Sequence, residues 1–175
     1  MPVRYAVERN QWAGAAAIDP PIGAPPQVVA IAVWARGMGL AHTGRAAETP
    51  AQIDRLQQLE AQVLASGNAY WATQVGILKQ EVEAWSAQAN GKPDEAVALL
   101  RAAADREDAI EKLPVTPGPI VPAREQLADL LLEQNHPAQA LKEFQAALVN
   151  APNRRGALQG AAKAAAELNQ TQSAP

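Results

Sequence analysis

The sequence predicts an all-α protein built as a stack of antiparallel helix pairs. Three observations carry this. Apolar residues recur at the 3.6-residue helical spacing and nowhere alternate with period two over a useful length. Pro, Gly and Asn divide the chain into blocks of helix length. Hydrophobic residues make up 48% of the 175 residues, but aromatics only 4%, and alanine visibly fills much of the difference. Alanine forms helices well and lets them approach closely, while burying little area per residue. Many small helix contacts are therefore expected rather than one aromatic core.

The elements follow in order. Residues 2–9 read as the end of a helix, Asn10-Gln11 as a turn, and Trp12 to Ile18 as a short helix. The run from Asp19 to Pro26 holds four prolines and is a rigid linker. Gln27 to His42 forms the next helix, stopped at Thr43-Gly44. Thr49-Pro50 looks like a start signal, a hydroxyl N-cap followed by Pro at the first helical position. The helix it opens carries the stripe Ile53, Leu56, Leu59, Val63 and Leu64. After Gly67-Asn68 a long helix runs from Ala69 to about Ala89, with Leu78, Val82, Trp85 and Ala89 on one face. Pro93 opens a helix bearing Ala96, Val97, Leu99, Leu100 and Ala103. A Pro-rich loop spans Leu113 to Pro122. Ala123 to Gln134 is helical with Leu127, Leu130 and Leu131 inward, Asn135-His136 is a turn, and Pro137 opens another helix. Asn153 is expected to cap a last helix striped by Leu158, Ala161, Ala165 and Leu168.

The blocks group into helix–turn–helix pairs with internal similarity. Ala140, Phe144, Ala147 and Pro152 have the spacing of the second helix of a tetratricopeptide repeat, and Leu127, Ala128 and Leu131 fall on the packing positions of its first. Gly91-Lys-Pro-Asp-Glu-Ala96 is similar to the same turn one repeat earlier, Gly37 and Gly44 fit the repeat before, and Asn10 to Ala15 a still earlier turn. The chain thus resembles the tetratricopeptide family, in particular the C-terminal part of larger bacterial members of unassigned activity. That resemblance implies a right-handed superhelical α-solenoid. Residues 1–175 would form one domain, with a partial pair at 1–19, pairs at about 27–66, 69–111 and 121–152, and a terminal helix at 154–169. Residues 121–154 match the pattern best. From Ala96 to Ala140 the interval is 140 − 96 = 44 residues, against a usual period of about 34. The excess coincides with the Pro-rich loop.

Composition excludes several function classes. The net charge is −3, and no basic run exceeds the pair Arg154-Arg155. A nucleic-acid groove or an anionic membrane surface needs a basic stripe, so neither is an expected partner. There is no cysteine. The start of the chain has no apolar signal segment, and the longest apolar stretch, Val28 to Ala35, is too short to span a bilayer. A cytoplasmic setting is the default reading. His42 and His136 lie at a helix end and in a turn, without the converging ligands that a metal needs. The charged run from Asp105 to Lys112 reads as a solvated helix face with local i,i+4 pairs. No phosphate loop or nucleophile elbow is present. The expectation is a non-catalytic protein without a cofactor.

By the family resemblance, ligands lie along the concave face made by the first helices. The register puts Trp34, Met38, Glu81, Trp85, Gln88, Glu125 and Asp129 there. The implied function is a protein- or peptide-binding scaffold with an acidic, Trp-lined face, Lys163 being the one nearby base. For Trp85, which shares a stripe with Leu78 and Val82, core packing is favoured over the groove, and for Trp34 the two readings stand even. The alternative function is a structural or oligomerising segment of a larger protein. Its basis is that the register leaves both ends as unfinished repeats, which expose packing faces and favour a homo-oligomer.

Overall fold

The computed structural model describes residues 2–110 and 118–173, and the first half of the expected Pro-rich loop, residues 113–117, lies outside them. Among the described residues the protein is all-helical, without a strand. In chain order the elements are α1 (Pro2–Glu8), α2 (Trp12–Ala16), α3 (Pro26–His42), a 3-10 turn η1 (Ala46–Glu48), α4 (Thr49–Ala65), α5 (Ala69–Ala89), α6 (Pro93–Asp108), α7 (Ala123–Glu133), α8 (Pro137–Asn150) and α9 (Arg155–Ser173). Backbone chemistry sets most of the breaks. Gly44, Gly67 and Gly91 have φ of 73°, 80° and 73°, the left-handed conformation in which glycine ends a helix without a Cβ penalty. Asn10 and Asn135 do the same at φ 53° and 61°, as Asn can.

The described residues form two compact units, with the division falling inside α6 between Leu99 and Leu100. In unit 1, α3 and α5 are the central helices: α3 packs on α1, α2, α4 and α5, and α5 packs on α3 and α4. Both are buried on more than one side, which is why neither has a clean amphipathic stripe. Val75, Ile77, Val82 and Ala84 are core residues of α5, whereas Leu78 is half-buried and Ala89 exposed, so the buried surface is broader than the expected stripe. Gly37 permits the closest approach. A Cβ there would stand 2.7 Å from Val82 Cγ1 on α5. Gly39 does the same for α2, since a Cβ would fall on the backbone of Ala16 and Trp12.

The expected cap at Thr49 is not made. Thr49 is already helical, behind the 3-10 turn, and the N-cap is Glu48. Its hydroxyl is buried instead, donating to the Ala46 carbonyl at 2.7 Å and lying 2.6 Å from Ser86 Oγ on α5. A buried hydroxyl keeps its hydrogen bonds because water cannot replace them. Asn68 is a true cap, its Oδ1 accepting from the Trp71 backbone N–H.

In unit 2, α7 and α8 form an antiparallel pair on which α9 packs, touching both. Leu127, Ala128 and Leu131 of α7 and Ala140, Phe144 and Ala147 of α8 are buried, as their spacing predicts. Phe144 is wholly enclosed, and Gly160 of α9 lies against its ring so closely that a Cβ would overlap it. The α9 stripe differs from expectation. Ala157 and Ala164 face the core with Gly160, while Leu158 is 48% exposed and Ala161, Ala165 and Leu168 are half-buried. Asn153 stands two residues before the first helical residue and is not the cap.

The charged run at the end of α6 is exposed at Asp105, Arg106 and Asp108, as expected, but Asp105 and Asp108 pair with α7 rather than locally, and Glu111 and Lys112 lie outside the described residues. Arg124, at the start of α7, donates to Asp105 at 2.7 Å, Asp108 at 2.6 Å and Glu143 of α8 at 2.7 Å. Arg101 donates to the other Glu143 oxygen at 2.9 Å, and Glu107 accepts from the Ala123 backbone N–H at 2.9 Å. One guanidinium thus ties the end of α6 and the start of α7 to the middle of α8, a geometry suited to its planar fork of donors. Burial pulls the Arg124 pKa down, but the hydrogen bonds of Asp105, Glu143 and Asp108 overcome this and leave it raised.

Candidate functional site

Four of the seven residues expected on a ligand face are core residues of unit 1. Trp34 and Met38 on α3, and Glu81 and Trp85 on α5, are 1%, 2%, 1% and 4% exposed. The expectation of a Trp-lined wall is corrected accordingly, and the core reading favoured for Trp85 holds. Large apolar side chains such as Trp34, Met38 and Trp85 gain more by filling the space between neighbouring helices than by facing water, an account that does not extend to the buried carboxylate of Glu81. Gln88, one turn further along α5, is half-buried.

The environment of Trp85 contains a feature that linear spacing does not reveal. The His42 imidazole, in the last turn of α3, lies between two indoles. Trp12 of α2 stacks on it at 4.1 Å between ring centroids with 13° between planes, and Trp85 lies on it at 4.3 Å, tilted by 47°. The His42 Nε2 is buried without a hydrogen-bond partner among the described residues. Burial lowers the pKa from 6.5 to about 4, so the ring is neutral at neutral pH.

Glu125 and Asp129, the other two expected residues, lie in unit 2 on one stripe of α7, and Glu133 extends that stripe by another turn. Glu125 is buried and ion-paired with Arg154, just before α9. Gly156 makes room for it, since a Cβ there would overlap the Glu125 carboxylate. Asp129 and Glu133 reach solvent and have no hydrogen-bond or ion-pair partner among the described residues. The Asp129 pKa is pushed up to about 7, first by desolvation and then by the charges of Glu125 and Glu133, with Lys163 and Arg154 pulling it down. Desolvation raises Glu133 as well, against Lys163. Lys163 of α9 is exposed and 3.9 Å from Glu167. The site in unit 2 is therefore a carboxylate ladder, salt-bridged at its base and unpaired at its upper two rungs.

Among the described residues, no group of three or more His, Cys, Asp or Glu side chains could hold a metal ion. None of the described helices is long and apolar enough to cross a membrane. The fold and the ladder define an all-α helical protein with a local acidic face. No family model, curated protein or solved structure matches the chain.

Proposed function

We propose that the chain is a non-catalytic, tetratricopeptide-like scaffold module that holds a basic peptide segment of a partner protein on the α7 face of unit 2. The observation carrying this reading is the ladder of Glu125, Asp129 and Glu133, whose last two carboxylates have no ion pair among the described residues and feel Lys163 only at longer range. The Asp129 pKa is pushed up to about 7, first by desolvation and then by the negative charges of Glu125 and Glu133. An incoming Arg or Lys relieves that repulsion, whereas an acidic ligand adds to it. The solenoid assignment draws support from the α7–α8 pair, its Asn135 turn, and α9 packed on both helices as the first helix of a following repeat would be.

The test is fluorescence anisotropy with two labelled peptides, one rich in Arg and Leu and one ending in several acidic residues. The basic peptide binds more tightly at physiological salt, and the Asp129→Asn, Glu133→Gln double variant loses most of that advantage. Tighter binding of the acidic peptide, or an unchanged affinity in the double variant, overturns the reading. The second reading, an oligomerising segment, is favoured by Leu158 and Val149, which are 48% and 80% exposed in unit 2.

A further inference from the structure

We propose that the α1–α2 hairpin is an acid-released latch on unit 1: protonation of His42 expels Trp12 from the aromatic stack and uncovers Trp85 and the α3 surface beneath Ala15 and Ala16. The hairpin is small. α1 and α2 span 7 and 5 residues, and their buried side chains are Ala6, Val7, Ala15 and Ala16, together with half-buried Trp12. Alanine and valine bury little area, so Trp12 supplies a large share of the seat. A linker containing Pro20, Pro21 and Pro25 joins the hairpin to α3, a tether that outlasts undocking. Segments with few buried contacts open at less than the global cost of unfolding.

The stack allows only a neutral ring. His42 Nε2 is buried without a partner, so a proton there finds neither acceptor nor water. Among the described residues, no charged neighbour is a cause of the His42 shift. Trp12–Ala16 carries no ionisable side chain. On α1, Arg4 pairs with Glu8 at 2.9 Å and Arg9 lies over the Tyr5 ring. Arg36 of α3 pairs with Asp19, Arg45 before η1 with Glu48, and Lys79 of α5 with Glu83. Glu81 is buried one turn before Trp85, and α4 carries Asp54, Arg55 and Glu60. Burial is nevertheless the one cause that moves the His42 pKa, and it moves it down.

The sign follows. A group whose folded pKa of about 4 lies below its free value of 6.5 holds the docked state fully above pH 6.5 and loosens it as pH falls towards 4. With those two values, the opening equilibrium rises about twentyfold between neutral pH and ~pH 5. The alternative is that imidazolium gains cation–π energy between the indoles, which would raise the pKa rather than lower it.

The experiment is an NMR pH titration of the full chain, following the Trp12 and Trp85 indole N–H signals, the His42 ring and the amides of residues 3–16. The latch requires the hairpin amides to lose protection, corrected for intrinsic exchange, by about twentyfold from neutral pH to ~pH 5 while the α7–α8 amides hold. His42→Phe keeps an aromatic ring that cannot take a proton, and its hairpin stays docked. Gly39→Ala unseats α2 at every pH, and its His42 then titrates near 6.5. Three results overturn the proposal: a hairpin protected throughout the His42 titration, a His42→Phe variant that opens at the same pH as the parent, or a Gly39→Ala variant whose His42 pKa stays depressed.

Discussion

At the scale of single residues, Phe144 and Asp129 show how position decides what a side chain contributes. Phe144 is fully enclosed between α7, α8 and α9, so Phe144→Ala is expected to cost about 3–5 kcal/mol in a denaturant melt. Gly160→Ala attacks the same contact from the other side. Its Cβ would overlap the ring, and about 1–3 kcal/mol is expected from overpacking. A loss below about 0.5 kcal/mol in either would mean that the ring is not held where the structure puts it. Asp129 acts in the opposite direction. Its folded pKa of about 7 exceeds its free value of 3.8, so the folded state holds the extra proton and stability falls as pH rises from 3.8 to 7. Asp129→Asn should therefore be more stable than the parent above pH 7 and equal to it below 3.8, as thermal melts across that range will show. The gain is expected to stay under about 1 kcal/mol, because the residue is exposed and water screens it.

At the scale of elements, the Arg124 clasp explains how an interval longer than one repeat is accommodated. Asp105 and Asp108 at the end of α6 and Glu143 of α8 converge on the first turn of α7. The α6 and α7 ends are therefore held together across the intervening segment. Arg124→Met leaves Glu143, which is 7% exposed, with Arg101 as its remaining cation. A loss of about 2–4 kcal/mol is expected, more than for a surface pair, because a buried carboxylate loses half its partners. A variant within about 0.5 kcal/mol of the parent would reduce the clasp to surface decoration. None of this convergence is visible in the sequence. The run Asp105 to Asp108 looks like a face of local pairs because its partners Ala123, Arg124 and Asn150 lie 16 to 42 positions away along the chain, beyond the reach of helical periodicity.

At the scale of the whole molecule, helix positions are legible because each break carries its own chemistry: Gly44, Gly67 and Gly91 in left-handed turns, Asn135 likewise, and Pro26, Pro93 and Pro137 in first turns. The α7–α8 core is legible because its apolar spacing matches one buried face. Facing directions on α3 and α5 are not. A helix covered on several sides buries Trp34, Met38, Glu81 and Trp85 alike, so periodicity cannot separate wall from core. The ladder is half legible: the four-residue spacing of Glu125, Asp129 and Glu133 can be read directly, but the pairing of Glu125 with Arg154 and the isolation of the other two cannot.

The proposed role as a basic-peptide scaffold is tested most directly by an NMR footprint. Titration of the labelled chain with the Arg- and Leu-rich peptide should shift amides around Asp129, Glu133 and Lys163 in a salt-sensitive manner, and Asp129→Asn with Glu133→Gln should remove those shifts. Shifts confined to unit 1, or the same footprint in the double variant, would contradict the account.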